Sequence, residues 1–77
     1  MEFIAERITI DPDICNGKPT IRGKRITVQT VMEFLSNGDT NQEILDQFPS
    51  LQNEDIEACL KFASKLMQNN YEMQTIA

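Results

Sequence analysis

The chain has 77 residues, 40% of them hydrophobic, a formal net charge of −5 and no histidine. That length allows one small domain, and folding buries only about 63% of the unfolded surface, a core so marginal that a dimer partner would strengthen it. Without imidazole the commonest general base, the Ser–His and Cys–His nucleophile pairs and every His-containing metal site are excluded, so no catalytic residue, metal or cofactor is expected.

Acids and bases are spread unevenly. Residues 1–38 hold five of each, whereas residues 39–77 hold seven acids and two bases. Lys18, Arg22, Lys24 and Arg25 fall within eight residues that contain no acid, which confines any phosphate affinity to that segment. Cys15 and Cys59 lie too far apart for a CxxC site and are expected to be reduced structural thiols. The first six residues lack the basic and apolar regions of a leader, and no run approaches a membrane span, so a cytoplasmic protein without membrane contact is expected.

In chain order, Arg7-Ile8-Thr9-Ile10 alternates as a short strand does, and Asp11-Pro12-Asp13 breaks it. Pro19-Thr20-Ile21 and Arg25-Ile26-Thr27-Val28 flank Gly23-Lys24 and predict a tight hairpin whose turn carries a base. From Thr30 the spacing is helical, with Val31, Leu35, Val28 and Met32 on one face and Asn37-Gly38 as the stop. Thr40-Asn41-Gln42-Glu43 is a capping box for a second helix that buries Ile44, Leu45 and Phe48 and ends at Pro49.

After the turn Pro49-Ser50-Leu51-Gln52, Asn53 is the expected cap of a third helix, with Glu54, Asp55 and Glu57 in its first turn. Ile56, Cys59, Leu60, Ala63, Leu66 and Met67 form one continuous apolar stripe, and Glu57 is spaced to pair with Lys61. The expected domain covers residues 1–66. Residues 67–77, with Tyr71, Met73 and Ile76 scattered among polar residues, read as a tail that frays or docks on a partner.

The predicted fold is therefore mainly α with a small β element: a three-helix core of helix-turn-helix type, homeodomain-like or winged, preceded by a short β-hairpin. Such cores read DNA, and they also fill bundles that touch none. The acids at the start of the third helix oppose its entry into a groove. Lys18, Arg22, Lys24 and Arg25 are better candidates for phosphate or base contact; the alternative is that the arginines pair with acids of the chain's own C-terminal half.

The run from Ile8 to Val28, with Gly17-Lys18-Pro19, Ile21-Arg22-Gly23 and Arg25-Ile26, resembles the opening of the bacterial domain-of-unknown-function family 433. Asn37-Gly38, Ile44-Leu45, Phe48-Pro49, Leu51, Asp55-Ile56, Ala58 and Leu60 keep the same order, so the resemblance spans about residues 8–66. Lys24 departs from it, since the family most often has Thr there. The resemblance implies a helix-turn-helix antitoxin of the VapB type that neutralises a PIN-like ribonuclease and represses its own operon.

On that reading Lys18, Arg22, Lys24 and Arg25 contact operator DNA, while Glu54, Asp55, Glu57, Tyr71 and Met73 face the toxin, an acidic plug for a basic cleft. The alternative is a protein-interaction module without DNA binding. A homodimer is expected under either.

Overall fold

The computed structural model describes residues 1–71, and the side chains of residues 1–68. In chain order it forms β1 (Glu2–Ala5), β2 (Ile8–Ile10), a 3-10 turn (Cys15–Gly17), β3 (Thr20–Ile21), α1 (Val28–Ser36), α2 (Asn41–Gln47) and α3 (Asn53–Tyr71). The three strands make one antiparallel sheet in the order β1-β2-β3. The architecture is mainly α with a small β element, as the sequence predicts, but the sheet is larger than one hairpin.

β1 adds the unexpected strand. Glu2, Phe3 and Ile4 are all exposed, so no inward-facing alternation marks it in the sequence. Its backbone pairs with β2, Glu2 opposite Ile10 and Phe3 opposite Thr9, before a bulge ahead of Ala5.

The turn after β3 also differs from expectation. It centres on Arg22-Gly23 rather than Gly23-Lys24, with the Lys24 amide donating to the Ile21 carbonyl at 2.8 Å. Both central residues have positive φ, 47° and 72°, the backbone of a type I′ turn. Arg25–Val28 returns beside β3 as predicted, the Ile21 amide donating to the Ile26 carbonyl at 3.1 Å and the Val28 amide to that of Pro19 at 3.0 Å, but it forms no strand of its own. Thr20 bridges Thr27, but Thr27 is already the cap of α1, its hydroxyl accepting from the Thr30 amide at 3.0 Å. Capping thus starts α1 at Val28, ahead of Thr30. On its other edge β3 pairs with β2: Ile8 lies opposite Ile21, and Thr9 lies opposite Thr20. The two threonines are buried, and each hydroxyl donates to the other's carbonyl, at 3.4 and 3.3 Å.

The helix boundaries follow local chemistry. Gly38, at φ 95°, closes α1: its amide reaches the Leu35 carbonyl at 3.0 Å while the Asp39 amide reaches that of Phe34 at 3.1 Å, a Schellman closure. At α2 the Glu43 amide donates to Thr40 Oγ1 (3.2 Å) and the Thr40 amide to Glu43 Oε1 (2.8 Å), completing the capping box. Phe48, before Pro49, leaves the helical region at φ −124° and ψ 81°.

Ile8, Ile21, Val31, Ile44, Ile56 and Cys59 are fully buried and centre the core, and each large aliphatic side chain contributes about 1.5–3 kcal/mol. α3 packs on β2, α1 and α2. Its apolar stripe is split rather than continuous in burial: Ile56 and Cys59 are covered, whereas Leu60, Leu66 and Met67 are 44%, 48% and 54% exposed. With 19 residues, α3 outruns the helices of 9 and 7 residues that pack against it. It also continues through Met67 to Tyr71, so the expected domain boundary after Leu66 falls inside a helix. Among the described residues no helix is long and apolar enough to cross a membrane.

Candidate functional site

Two turns at the same end of the sheet carry the arginines that organise the molecule. Arg7 ends the β1–β2 turn at φ 66°, and Arg22 opens the turn after β3 at φ 47°. Left-handed backbone costs a non-glycine residue about 1–2 kcal/mol, so both positions need compensation. Part of it is local, because the Arg22 amide donates to the Arg7 carbonyl at 3.0 Å and ties the turns together.

The rest comes from Asp55, whose carboxylate is fully buried. Arg22 grips it as a fork, Nε to Oδ1 at 2.9 Å and Nη2 to Oδ2 at 2.7 Å. Arg7 Nη1 donates to Oδ1 at 2.9 Å and also to Gln52 Oε1 at 2.9 Å. The Gln52 amide donates to Oδ2 at 2.8 Å, so the buried carboxylate has every lone-pair direction engaged. Asp55, the third residue of α3, thereby makes the return bond of a capping box to the Gln52 amide just ahead of the helix, and the expected Asn53 cap does not form. Asn53 is the first residue of α3, and its side chain accepts from Asn41 Nδ2 at 3.0 Å, linking α3 to the start of α2.

Burial is the largest influence on the Asp55 proton and opposes ionisation. The hydrogen bonds from Arg22, the Gln52 amide and Arg7, with the Arg22 charge, outweigh it and bring the carboxyl down to about 2. The same contact raises Arg22 above its ordinary value, chiefly through the hydrogen bond to Asp55. Cys59 responds in the opposite sense: burial, and then the Asp55 charge, push its thiol up to about 11.

The candidate residues are therefore redistributed. Arg22, expected on DNA, is turned onto an acid of the C-terminal half, and Asp55, expected on a partner, is inside the protein. Lys18 and Arg25 are exposed and Lys24 is half-buried, and among the described residues none of the three enters an ion pair. Glu54 and Glu57 are exposed on α3. They line a groove of about 440 Å³ between Ile4 of β1 and the Ala58, Lys61, Lys65 and Leu66 side of α3. The expected Glu57–Lys61 ion pair is not among those formed by the described residues. The Tyr71 side chain and Met73 lie outside the described residues.

Arg7 escapes a reading of the sequence because nothing near it marks a partner 48 positions away. The available signal is Asp55 itself, an acid at the third position of a helix between the apolar Leu51 and Ile56, where an unpaired carboxylate is costly.

Residues 8–63 match the family described as "Protein of unknown function (DUF433)". Over 51 residues the chain is 37% identical to the uncharacterized protein y4eO of Sinorhizobium fredii, a match covering 66% of this chain and 23% of that protein. The chain thus spans about a quarter of the length of that curated relative. The structure is similar to a DUF433 member protein from Anabaena variabilis, with a TM-score of 0.74 and 30% identity over 88% of this chain and 68% of the other. The matched segment contains Arg22, Asp55 and all three helix starts, and the chain belongs to the DUF433 family.

Proposed function

We propose that the protein is the antitoxin of a type II toxin–antitoxin pair, a non-catalytic binder that neutralises a PIN-like ribonuclease and represses its own operon. The observation that carries this reading is the uncovered side of α3. Leu60 and Met67 lie two turns apart on one line of the helix and are 44% and 54% exposed, within the half of the chain that holds the excess of acid. Exposed apolar side chains in the half of the chain that carries the acid excess suit a partner cleft built to attract RNA. Lys18, Lys24 and Arg25 supply the DNA contact. Arg22 leaves that set because Asp55 holds it.

The same Arg22–Asp55 contact, with Glu54 exposed at the start of α3, favours a second reading, a protein-interaction module without DNA binding. A mobility-shift assay on the upstream DNA, with the protein alone and with any ribonuclease encoded beside it, separates the two. A salt-sensitive shift supports the antitoxin-repressor, no shift in either case supports the interaction module, and failure to inhibit the ribonuclease overturns the antitoxin reading.

A further inference from the structure

The groove side of α3 carries a charge pattern that is complementary to itself. Glu54, Ala58, Lys61 and Lys65 recur at a spacing that keeps them on one side of the helix, with Glu57 flanking them. Acids occupy the N-terminal half of this side and bases the C-terminal half. All four charged groups are exposed, and among the described residues none enters an ion pair. Leu66 and Ile4, 48% and 42% exposed, supply apolar rims to the same groove.

We infer that this side of α3 is a homodimer surface on which a second copy of the chain docks its own α3 antiparallel. A two-fold axis crossing the helix at the level of Cys59 and Leu60 sets Glu54 opposite the second copy's Lys65 and Glu57 opposite its Lys61, and symmetry makes each contact twice. Ala58, level with the axis, is only 8% exposed and puts no bulk into the seam, which Leu66 and Ile4 flank. A parallel arrangement sets Glu54 against Glu54 and Lys65 against Lys65, so the pattern selects the antiparallel one. The groove, at about 440 Å³, receives side chains of the second copy and not its helix.

This arrangement deepens the proposed function by naming the dimer surface, but it does not rest on DNA or toxin binding. Leu60 and Met67 lie on a different side of α3 and stay uncovered for another partner. The acidic start of α3 is occupied by the dimer, which places any DNA contact on Lys18, Lys24 and Arg25.

The test is a charge exchange read by mass. The wild-type protein is expected to be a dimer in sedimentation equilibrium at micromolar concentration. Lys61→Glu with Lys65→Glu turns each attractive contact repulsive and weakens association at least about tenfold. Glu54→Lys with Glu57→Lys does the same. Mixing the two variants restores a heterodimer, and unchanged helical circular dichroism of each variant shows that folding is intact. A monomeric wild type, a variant that remains a dimer, or a mixture that stays monomeric overturns the proposal. Because the readout is mass, its failure is distinct from a failure to bind DNA or to inhibit a ribonuclease.

Discussion

Arg22 and Asp55, 33 positions apart, meet as a two-bond fork in which the Asp55 side chain is fully buried and the Arg22 side chain is 31% exposed. The contact joins the turn after β3 to the first turn of α3, and Arg7 joins the β1–β2 turn to the same carboxylate. Three separate turns are thereby fixed to one buried group. A basic residue in a Gly-flanked turn is easily taken for a phosphate contact, and in this chain one such residue is a structural clamp.

Removing one partner of this cluster leaves the other without compensation. Arg22→Ala leaves a buried carboxylate held by Arg7 and one amide, and is expected to cost about 3 kcal/mol. Asp55→Ala also removes the bond accepted from the Gln52 amide at the start of α3 and costs at least as much. Urea unfolding followed by circular dichroism measures both, and a variant as stable as the wild type contradicts the clamp.

Stability should also fall on the acid side. The Asp55 carboxyl is lowered from 3.8 to about 2, so its contribution is fully present above the unfolded value and is lost as pH falls from about 4 through about 2. A shift of that size corresponds to about 2 kcal/mol. Asp55→Asn should be less stable at neutral pH and lack this component, which thermal melts between pH 7 and pH 2 would show as a flatter acid limb.

The two thiols should react differently. Cys59 is fully buried and its thiol is raised to about 11, whereas Cys15 is half-buried in the 3-10 turn. Iodoacetamide at pH 8 is expected to label Cys15 in the native protein and to reach Cys59 only after unfolding. Peptide mapping by mass spectrometry that finds native labelling at Cys59 would contradict its placement.

For the proposed DNA contact, the free bases and the clamp predict different signatures. Replacing Lys18, Lys24 and Arg25 by Ala should weaken binding and reduce the salt slope by about one for each phosphate that is no longer neutralised. Arg22→Ala should lower stability and leave the slope unchanged at temperatures where the protein remains folded. Equal slope changes for Arg22 and Arg25 would return Arg22 to the interface.

The features legible in the sequence are those set by neighbours along the chain. Thr40 with Glu43, Asn37-Gly38 and Phe48-Pro49 mark helix ends because capping, left-handed closure and the restriction before proline act within a few residues. Ile44, Ile56 and Cys59 read as core because helical spacing is a local property. The family resemblance of the Ile8–Val28 run is likewise carried by consecutive residues.

The features hidden from the sequence depend on long-range pairing. β1 has exposed side chains and exists because its backbone finds β2. Thr27 could continue a strand or cap a helix, and docking of α1 selects the cap. Local chemistry gives Asp55 a place in the first turn of α3, but whether it faces solvent or the core depends on two arginines, 48 and 33 positions away, that arrive on turns with positive φ. Burying a carboxylate is unfavourable until both guanidinium groups are in place, so its direction, and with it the role of Arg22, is settled by the assembled fold.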